Sequence, residues 1–237
     1  MKDIISAGLE ELGLSPAVPP EAAGQLDLYG RLLLEKNQVM NLTAIREPEQ
    51  VARLHMLDCA ALLNCAQFEG KTLIDVGTGA GFPGLPLKIL VPSLEVTLLD
   101  SLNKRVDWLN EVSGALGLTG VRAIHGRAEE QAQVKGFRDS FDFATARAVA
   151  DLRLLAELCL PFVKVGGLFL AMKSVESDGE LEHAARSVKM MGGRVRDQLD
   201  YTIPGSQITH RVILIEKVAP TLKGYPRRWA KIQKEPL

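Results

Sequence analysis

Cysteine is scarce in this 237-residue chain: Cys59, Cys65 and Cys159 are three in number and show no C-x-x-C spacing. That pattern excludes a disulfide frame and a zinc ribbon, and it leaves small buried thiols in a reducing compartment. Long apolar runs are missing too. No stretch approaches the ~18 apolar residues of a membrane span, and the opening MKDIISAGLEE lacks the apolar core of a secretory signal. The expectation is a cytoplasmic protein without membrane contact. Charge of one sign is also absent, since 28 basic residues against 29 acidic ones give a formal net charge of −1. A surface basic throughout is excluded, so any nucleic-acid contact has to come from local patches. Internal repeats and low-complexity segments are lacking. What remains, with 46% hydrophobic residues, suffices for one domain with a small appendage.

Against these absences stands one glycine-dense stretch, LIDVGTGAGFPG, from Leu73 to Gly84. An apolar run carrying Asp75 leads into Gly77, Gly79, Gly81 and Gly84, which reads as a buried strand breaking into a turn and then a helix. Glycines there let backbone N–H groups press against a ligand, and the following helix points its positive end the same way. Two cofactor classes use such a loop. Gly79, Gly81 and Gly84 spell the dinucleotide G-x-G-x-x-G, with Asp100 closing the next apolar run. Read from Asp75, the same letters give the acid-x-G-x-G-x-G loop of S-adenosylmethionine (SAM) enzymes. Either ligand needs Asp100, whose carboxylate can accept from both hydroxyls of a ribose.

Before the loop, residues 3–13 and the segment from Glu21 to about Asn37 show helical spacing of apolar residues. Asn41 and Thr43, in NQVMNLTAI, are candidates to cap or bridge backbone groups. Helical periodicity restarts at Pro48 and puts His55 and Asp58 on one face, as a local hydrogen-bonded pair or a catalytic dyad. Residues 1–70 therefore read as a helical N-terminal region. From Lys71 strands (71–76, 94–100, 121–125, 141–146, 167–173) alternate with helices (84–92, 102–116, 127–133, 150–163, 178–191), which predicts a parallel sheet with right-handed crossovers. RVRDQLDYTI and HRVILIEKV then predict a closing hairpin. The core is set at 71–218. The tail, 219–237, is basic: from Lys217 to Glu235, Lys217, Lys223, Arg227, Arg228, Lys231 and Lys234 face a single acid, with Tyr225 and Trp229 interleaved. Such a segment holds RNA by phosphate pairing and base stacking, or is simply solvated.

Several ordered phrases carry a resemblance: NLTAI (41–45), H-x-x-D (55–58), D-V-G-T-G-A-G-F-P-G (75–84), D-S-x-x-K-R (100–105), R-A-E-E (127–130), A-R-A-V-A (146–150), L-P-F-V-K-V-G-G with Met172-Lys173, and Y-P-R (225–227) with P-L at the end. Together they resemble the bacterial small-subunit rRNA guanine-N7 methyltransferases, the glucose-inhibited division protein B family. The resemblance implies an α/β, class I SAM-dependent methyltransferase fold, Rossmann-like, with a mostly parallel sheet ending in an antiparallel hairpin. It implies methyl transfer from SAM to N7 of one guanine in 16S rRNA, free or within the small ribosomal subunit; a monomer is expected.

Carried over residue by residue, Gly77 and Phe82 resemble the loop contacts to SAM, and Asp75, Gly79 and Gly81 of the same motif are further cofactor-binding candidates. Asp100 with Ser101 resembles the ribose site, and Ala128 with Glu129 the pair lying against adenine. Arg147 resembles an arginine beside the methyl-donor pocket, the alternative being an internal salt bridge. Lys104, Arg105, Arg147, Lys173, Arg227, Arg228, Lys231 and Lys234 are the candidate RNA contacts; no catalytic base and no metal are expected. The chain departs from the family pattern at Cys59 (usually Ser), at Ser174 (usually Gly), and at Trp229, Ala230 and Ile232, where small residues, Gly and Pro are usual. The rival readings are an NAD-dependent oxidoreductase using Gly79, Gly81 and Gly84, and a nucleotide-binding protein without catalysis.

Overall fold

The computed structural model describes residues 1–147, 150–175 and 178–237, so the A-R-A-V-A phrase reaches outside it at positions 148 and 149. Two helices open the chain, α1 (Lys2–Glu11) and α2 (Ala22–Met40). α2 runs past Asn37, where the sequence suggested a break, because Asn37 serves the turn from inside the helix. Its Oδ1 accepts from the N–H groups of Leu42 and Thr43, and its Nδ2 donates to the Thr43 carbonyl. Asn41 contributes a left-handed backbone (φ 43°) instead of a side-chain cap. Next comes α3 (Pro48–Val51), with proline in its first turn. It widens into a π-helix over Ala52–Leu57 and returns to α-geometry in α4 (Asp58–Ala60).

The sheet is built from β1 (Thr72–Val76), β2 (Glu95–Asp100), β3 (Val121–His125), β4 (Phe141–Arg147), β5 (Val163–Ser174), β6 (Gly193–Thr202) and β7 (Thr209–Lys217). Its order is β3-β2-β1-β4-β5-β7-β6, parallel except where β7 pairs antiparallel with β5 and β6. Crossover helices are α5 (Gly84–Leu90), α6 (Asn103–Ala115), α7 (Ala128–Gln131), α8 (Leu152–Cys159) and α9 (Asp178–Met190), and α10 (Trp229–Lys234) closes the chain. The expected parallel sheet and terminal hairpin are both present. The expected helix 150–163 stops at Cys159, passes into a 3-10 turn containing Pro161, and gives way to β5 at Val163, earlier than 167. The extra residues form a bulge: Val163 pairs with Phe141, but Leu168 with Phe143.

One apolar cluster packs the N-terminal helices against one face of the sheet, joining Ile5, Leu26 and Leu57 to Leu85, Leu98 and Leu214. A second covers the other face and includes Ile232 of α10 together with Leu155 and Phe169. Both ends of the chain are therefore part of the core. No helix among the described residues is long and apolar enough to cross a membrane.

Candidate active site

The chain leaves β1 through Gly77, Gly79 and Gly81, all with positive φ (70°, 61° and 115°), before α5 begins. At Gly81 a Cβ would lie 2.6 Å from both the Tyr29 hydroxyl and Leu85 Cδ1, so conformation and space together exclude a side chain. Beneath the loop Asp75 is fully buried and accepts from Thr78 Oγ1 (2.6 Å), Gly84 N (3.0 Å) and Thr145 Oγ1 (3.2 Å). Burial pushes its carboxyl up to about 6 against the pull of those donors. Asp75 thus braces the loop from inside and, like Asp100, is not among the walls of the two cavities described below. Asp100 holds the outer side: Oδ2 accepts from Gly79 N and Oδ1 from Leu102 N, both at 2.9 Å, and Arg105 Nη1 lies 3.4 Å from Oδ2. A carboxylate offers about four lone-pair positions, so acceptor capacity remains for a ligand.

Two cavities open on this loop, and Gly77 lines both. The larger, about 600 Å³, includes Thr43, His55, Asp58, Phe82, Arg147, Lys173, Ser174 and His210 in its walls. The smaller, about 150 Å³, lies among Val76, Leu99, Ser101, Ala128, Glu129, Leu158 and Trp229. Both sit outside the carboxyl ends of the parallel strands, where β2 extends the sheet one way from β1 and β4 the other, the usual ligand crevice of an open α/β sheet.

A charged network underlies the larger cavity. Arg147, at the end of β4, donates to Asp58 Oδ2 (3.2 Å), to the Leu54 carbonyl (3.1 Å) and to His55 Nδ1 (3.0 Å), and its guanidinium lies 4.8 Å from the Phe82 ring centre. His55 stacks on the same ring at 4.5 Å. Nδ1 of His55 faces both the Arg147 guanidinium, which can only donate, and the Leu54 carbonyl at 3.1 Å, which can only accept, while Nε2 lies 2.8 Å from Thr43 Oγ1. Burial and the neighbouring Arg147 charge lower the imidazole to about 3. Asp58 Oδ1 accepts from the Tyr201 hydroxyl and from His210 Nδ1, each at 2.8 Å. Burial opposes ionisation of Asp58, yet the His210 hydrogen bond and the Arg147 charge outweigh it and hold the carboxyl below its usual range. No hydrogen bond joins His55 to Asp58. The i→i+5 winding of the π-helix turns these i, i+3 neighbours toward different partners, so the pair expected from helical spacing does not form.

The structure sorts the remaining candidates. Gly79, Phe82, Arg147 and Lys173 border the larger cavity, and Ser101, Ala128 and Glu129 the smaller, while Gly81 lies behind the loop. Lys173 is paired with Glu180 (2.7 Å) and donates to the Ala150 carbonyl. Arg227 is paired with the buried Glu157, and Lys217 is fully buried against Asp139, so neither belongs to a solvated basic tail. Lys104, Arg228, Lys231 and Lys234 are exposed. Sequence reasoning missed Tyr201 and His210 at Asp58, and Trp229 as a cavity wall. An acid on an apolar helical face was the available signal for the first two, since a buried carboxylate requires donors. Among the described residues, no cluster of His, Cys, Asp and Glu could hold a metal.

Residues 22–203 match the family model for rRNA small subunit methyltransferase G. The chain is 47% identical over its whole length to the ribosomal RNA small subunit methyltransferase G of Alkaliphilus metalliredigens (strain QYMF), covering 98% of that protein. It is 44% identical to the protein of the same name from Clostridium perfringens (strain 13 / Type A), over 89% of this chain and 88% of the other. The chain belongs to this family. It is a SAM-dependent rRNA methyltransferase, and the NAD reading of the glycine loop falls away. Solved structures agree on the fold: a SAM-dependent methyltransferase from Aquifex aeolicus superposes with a TM-score of 0.52 at 19% identity, over 72% of this chain and 94% of that one. TrmN from Thermus thermophilus gives a TM-score of 0.52 at 24% identity, over 68% of this chain and 48% of that one.

Proposed function

We propose that this family member methylates N7 of a guanine in 16S rRNA, with SAM held across both cavities and its adenine end in the smaller one. The observation that supports this placement is Gly77, whose backbone borders both cavities at the turn after β1. The residues present fit the cofactor. The smaller cavity offers apolar walls in Val76, Leu99 and Ala128 with Glu129 as an acceptor, and Asp100 stands between the loop and the β2 end.

The cofactor supplies an electrophilic methyl group. Guanine N7 carries a lone pair and no proton, so no base has to prepare it. The chain's residues accordingly align two reactants and exclude water. Phe82, packed against the hydrogen-bonded His55 and Arg147 and against Tyr29, forms a rigid apolar wall. Arg147 is matched by Asp58 and holds this wall, with its charge already partnered. The guanine enters the larger cavity, past Ile208 of the hairpin turn and His210 of β7. Exposed Lys104, Arg228, Lys231 and Lys234 meet the phosphates. On this proposal the enzyme is a monomer acting in the cytoplasm, where ribosomal RNA is found.

The deciding experiment incubates the protein, 16S rRNA or small subunits, and methyl-labelled SAM, then identifies the labelled nucleoside by mass spectrometry. Label in 7-methylguanosine is the expected result, and label confined to another nucleoside overturns the assignment. In a folded Asp100→Ala variant, SAM affinity should fall by about 2 to 4 kcal/mol, the scale of hydrogen bonds to a charged group together with the loop donors left unpaired.

A further inference from the structure

The segment before α10 is fixed to the body of the protein far more firmly than a solvated tail requires. Arg227 donates from its backbone N–H to Glu157 Oε1 (2.8 Å), and from Nε and Nη2 to the two carboxylate oxygens (2.8 and 2.6 Å). Arg138 donates to the carbonyls of Thr221 (3.0 Å) and Tyr225 (2.7 Å), and Gln133 to that of Pro226 (3.1 Å). One turn into the helix, Ile232 is fully buried in the second apolar cluster. These contacts do not include Trp229, yet they fix where it goes. They set Trp229 in the wall of the smaller cavity, where Leu158, Val76, Leu99 and Ala128 supply the other apolar surface.

We propose that Trp229 is a cofactor-binding residue: its indole stacks on the adenine of SAM and closes the side of the cavity that the strand ends leave open. The proposal rests on the placement of the adenine end given above. At about 150 Å³ the cavity lies well below the ~300 Å³ at which sites for whole drug-sized ligands begin, so it takes one ring system and not the entire cofactor. Its lining is apolar apart from Ser101, Arg127 and Glu129 and contains a single aromatic ring, that of Trp229, the combination that suits a flat heteroaromatic with a polar edge. Every purine offers a π-face, so the indole contributes affinity through stacking while Glu129 stands at the polar edge. The C-terminal helix becomes part of the cofactor site, and Arg227 with Glu157 become the positioning pair that delivers it.

The test is calorimetric titration of S-adenosylhomocysteine and of adenosine into wild type, Trp229→Ala and Trp229→Phe, each first shown to be folded by its thermal transition. Loss of one stacked base is expected to weaken both ligands by about 10-fold or more in Trp229→Ala, and Trp229→Phe should stay within about 3-fold of wild type because it retains a π-face. Fluorescence supplies a readout that a purely structural role would not move. With excitation at the red edge of indole absorption, where tyrosine does not absorb, only Trp108 and Trp229 emit, and adenosine should quench the wild type while leaving Trp229→Phe unchanged. Unchanged or tighter binding in Trp229→Ala overturns the proposal, the tighter case showing that the indole occupies the adenine position itself. Weakening of S-adenosylhomocysteine with adenosine unaffected also overturns it, by placing the indole against the other end of the cofactor. Failure of the wild-type chain to bind either ligand removes the cofactor placement as well.

Discussion

The hydroxyl of Tyr29 donates to the carbonyl of Ala80 at 2.7 Å across 51 residues of sequence. The indole of Trp108 donates to the same carbonyl at 3.1 Å from α6. The glycine loop is thereby held by the N-terminal helices and by the core at once, so its shape depends on a region that sequence alone sets apart.

Tyr29→Phe should lower unfolding free energy by about 0.5 to 1.5 kcal/mol, the net worth of one hydrogen bond, because Trp108 still satisfies the carbonyl. Trp108→Phe should behave likewise. The double variant should lose more than the sum, since Ala80 O is then buried without a donor. Urea unfolding of the four proteins measures the difference, and strict additivity would refute the shared role.

His55 predicts a pH effect on stability with a definite sign. Its folded pKa, about 3, lies below the ordinary 6.5, so the unfolded chain binds the extra proton first. This histidine therefore leaves stability untouched above about pH 6.5 and erodes it as pH falls from there toward 3. Compared with wild type, His55→Gln should show a shallower loss of stability below about pH 6.5. Because guanine N7 has no proton to lose, methyl transfer should be flat from about pH 6.5 to 9, without the 10²- to 10⁴-fold loss in His55→Gln that removal of a base causes. A rate rising tenfold per unit in that window and flattening in the variant would point to a methyl acceptor that must lose a proton.

Breaking the pair between Arg227 and Glu157 should be costly. Glu157 is 1% exposed, and removing one partner of a buried pair costs about 3 to 5 kcal/mol because the other charge is left without compensation. Arg227→Ala should therefore melt well below wild type, and Arg227→Ala with Glu157→Leu should recover part of the loss. Equal melting of the single and double variants would show that the charge is not the cause.

Arg228, Lys231 and Lys234 are exposed cations of the tail with no ion pair among the described residues. Their combined replacement by Gln should flatten the plot of log RNA affinity against log salt by roughly 0.7 for each single-strand phosphate that is no longer neutralised. Thermal stability should be unchanged. A salt slope equal to wild type would assign RNA binding to another surface, Lys104 and its neighbours on α6 being next in line.

Most of the sheet was legible because strands and helices alternate with a clear change of hydrophobic period; β3 spans 121–125 as the pattern predicts. β5 began early because Gly166 and Gly167 permit a bulge, and a bulge adds residues without altering the apolar pattern around it. The π-helix over Ala52–Leu57 carries no sequence signature, so the divergence of His55 and Asp58 could not be read. Tyr201 and His210 reach Asp58 from 143 and 152 residues away, beyond any spacing argument. In the tail, composition counted Arg227 and Lys217 with the solvated cations, since charge alone does not reveal which side chain has a buried partner. Glu157 inside the apolar run LRLLAELCL was the clue that a cation had to come to it.

The order in which the chain is synthesised gives that pairing another meaning. Glu157 emerges from the ribosome 70 residues before Arg227, and the helices and strands that seat Ile232 are complete once β7 has followed, still ahead of that arginine. A nascent chain that has finished its sheet still carries an acid in an apolar groove with no counter-charge, and a bare apolar patch beside it. Final closure waits for the last dozen residues. A frameshift or stop codon in this short stretch, although it spares every strand, leaves a protein whose half-built face is open to chaperones and proteases.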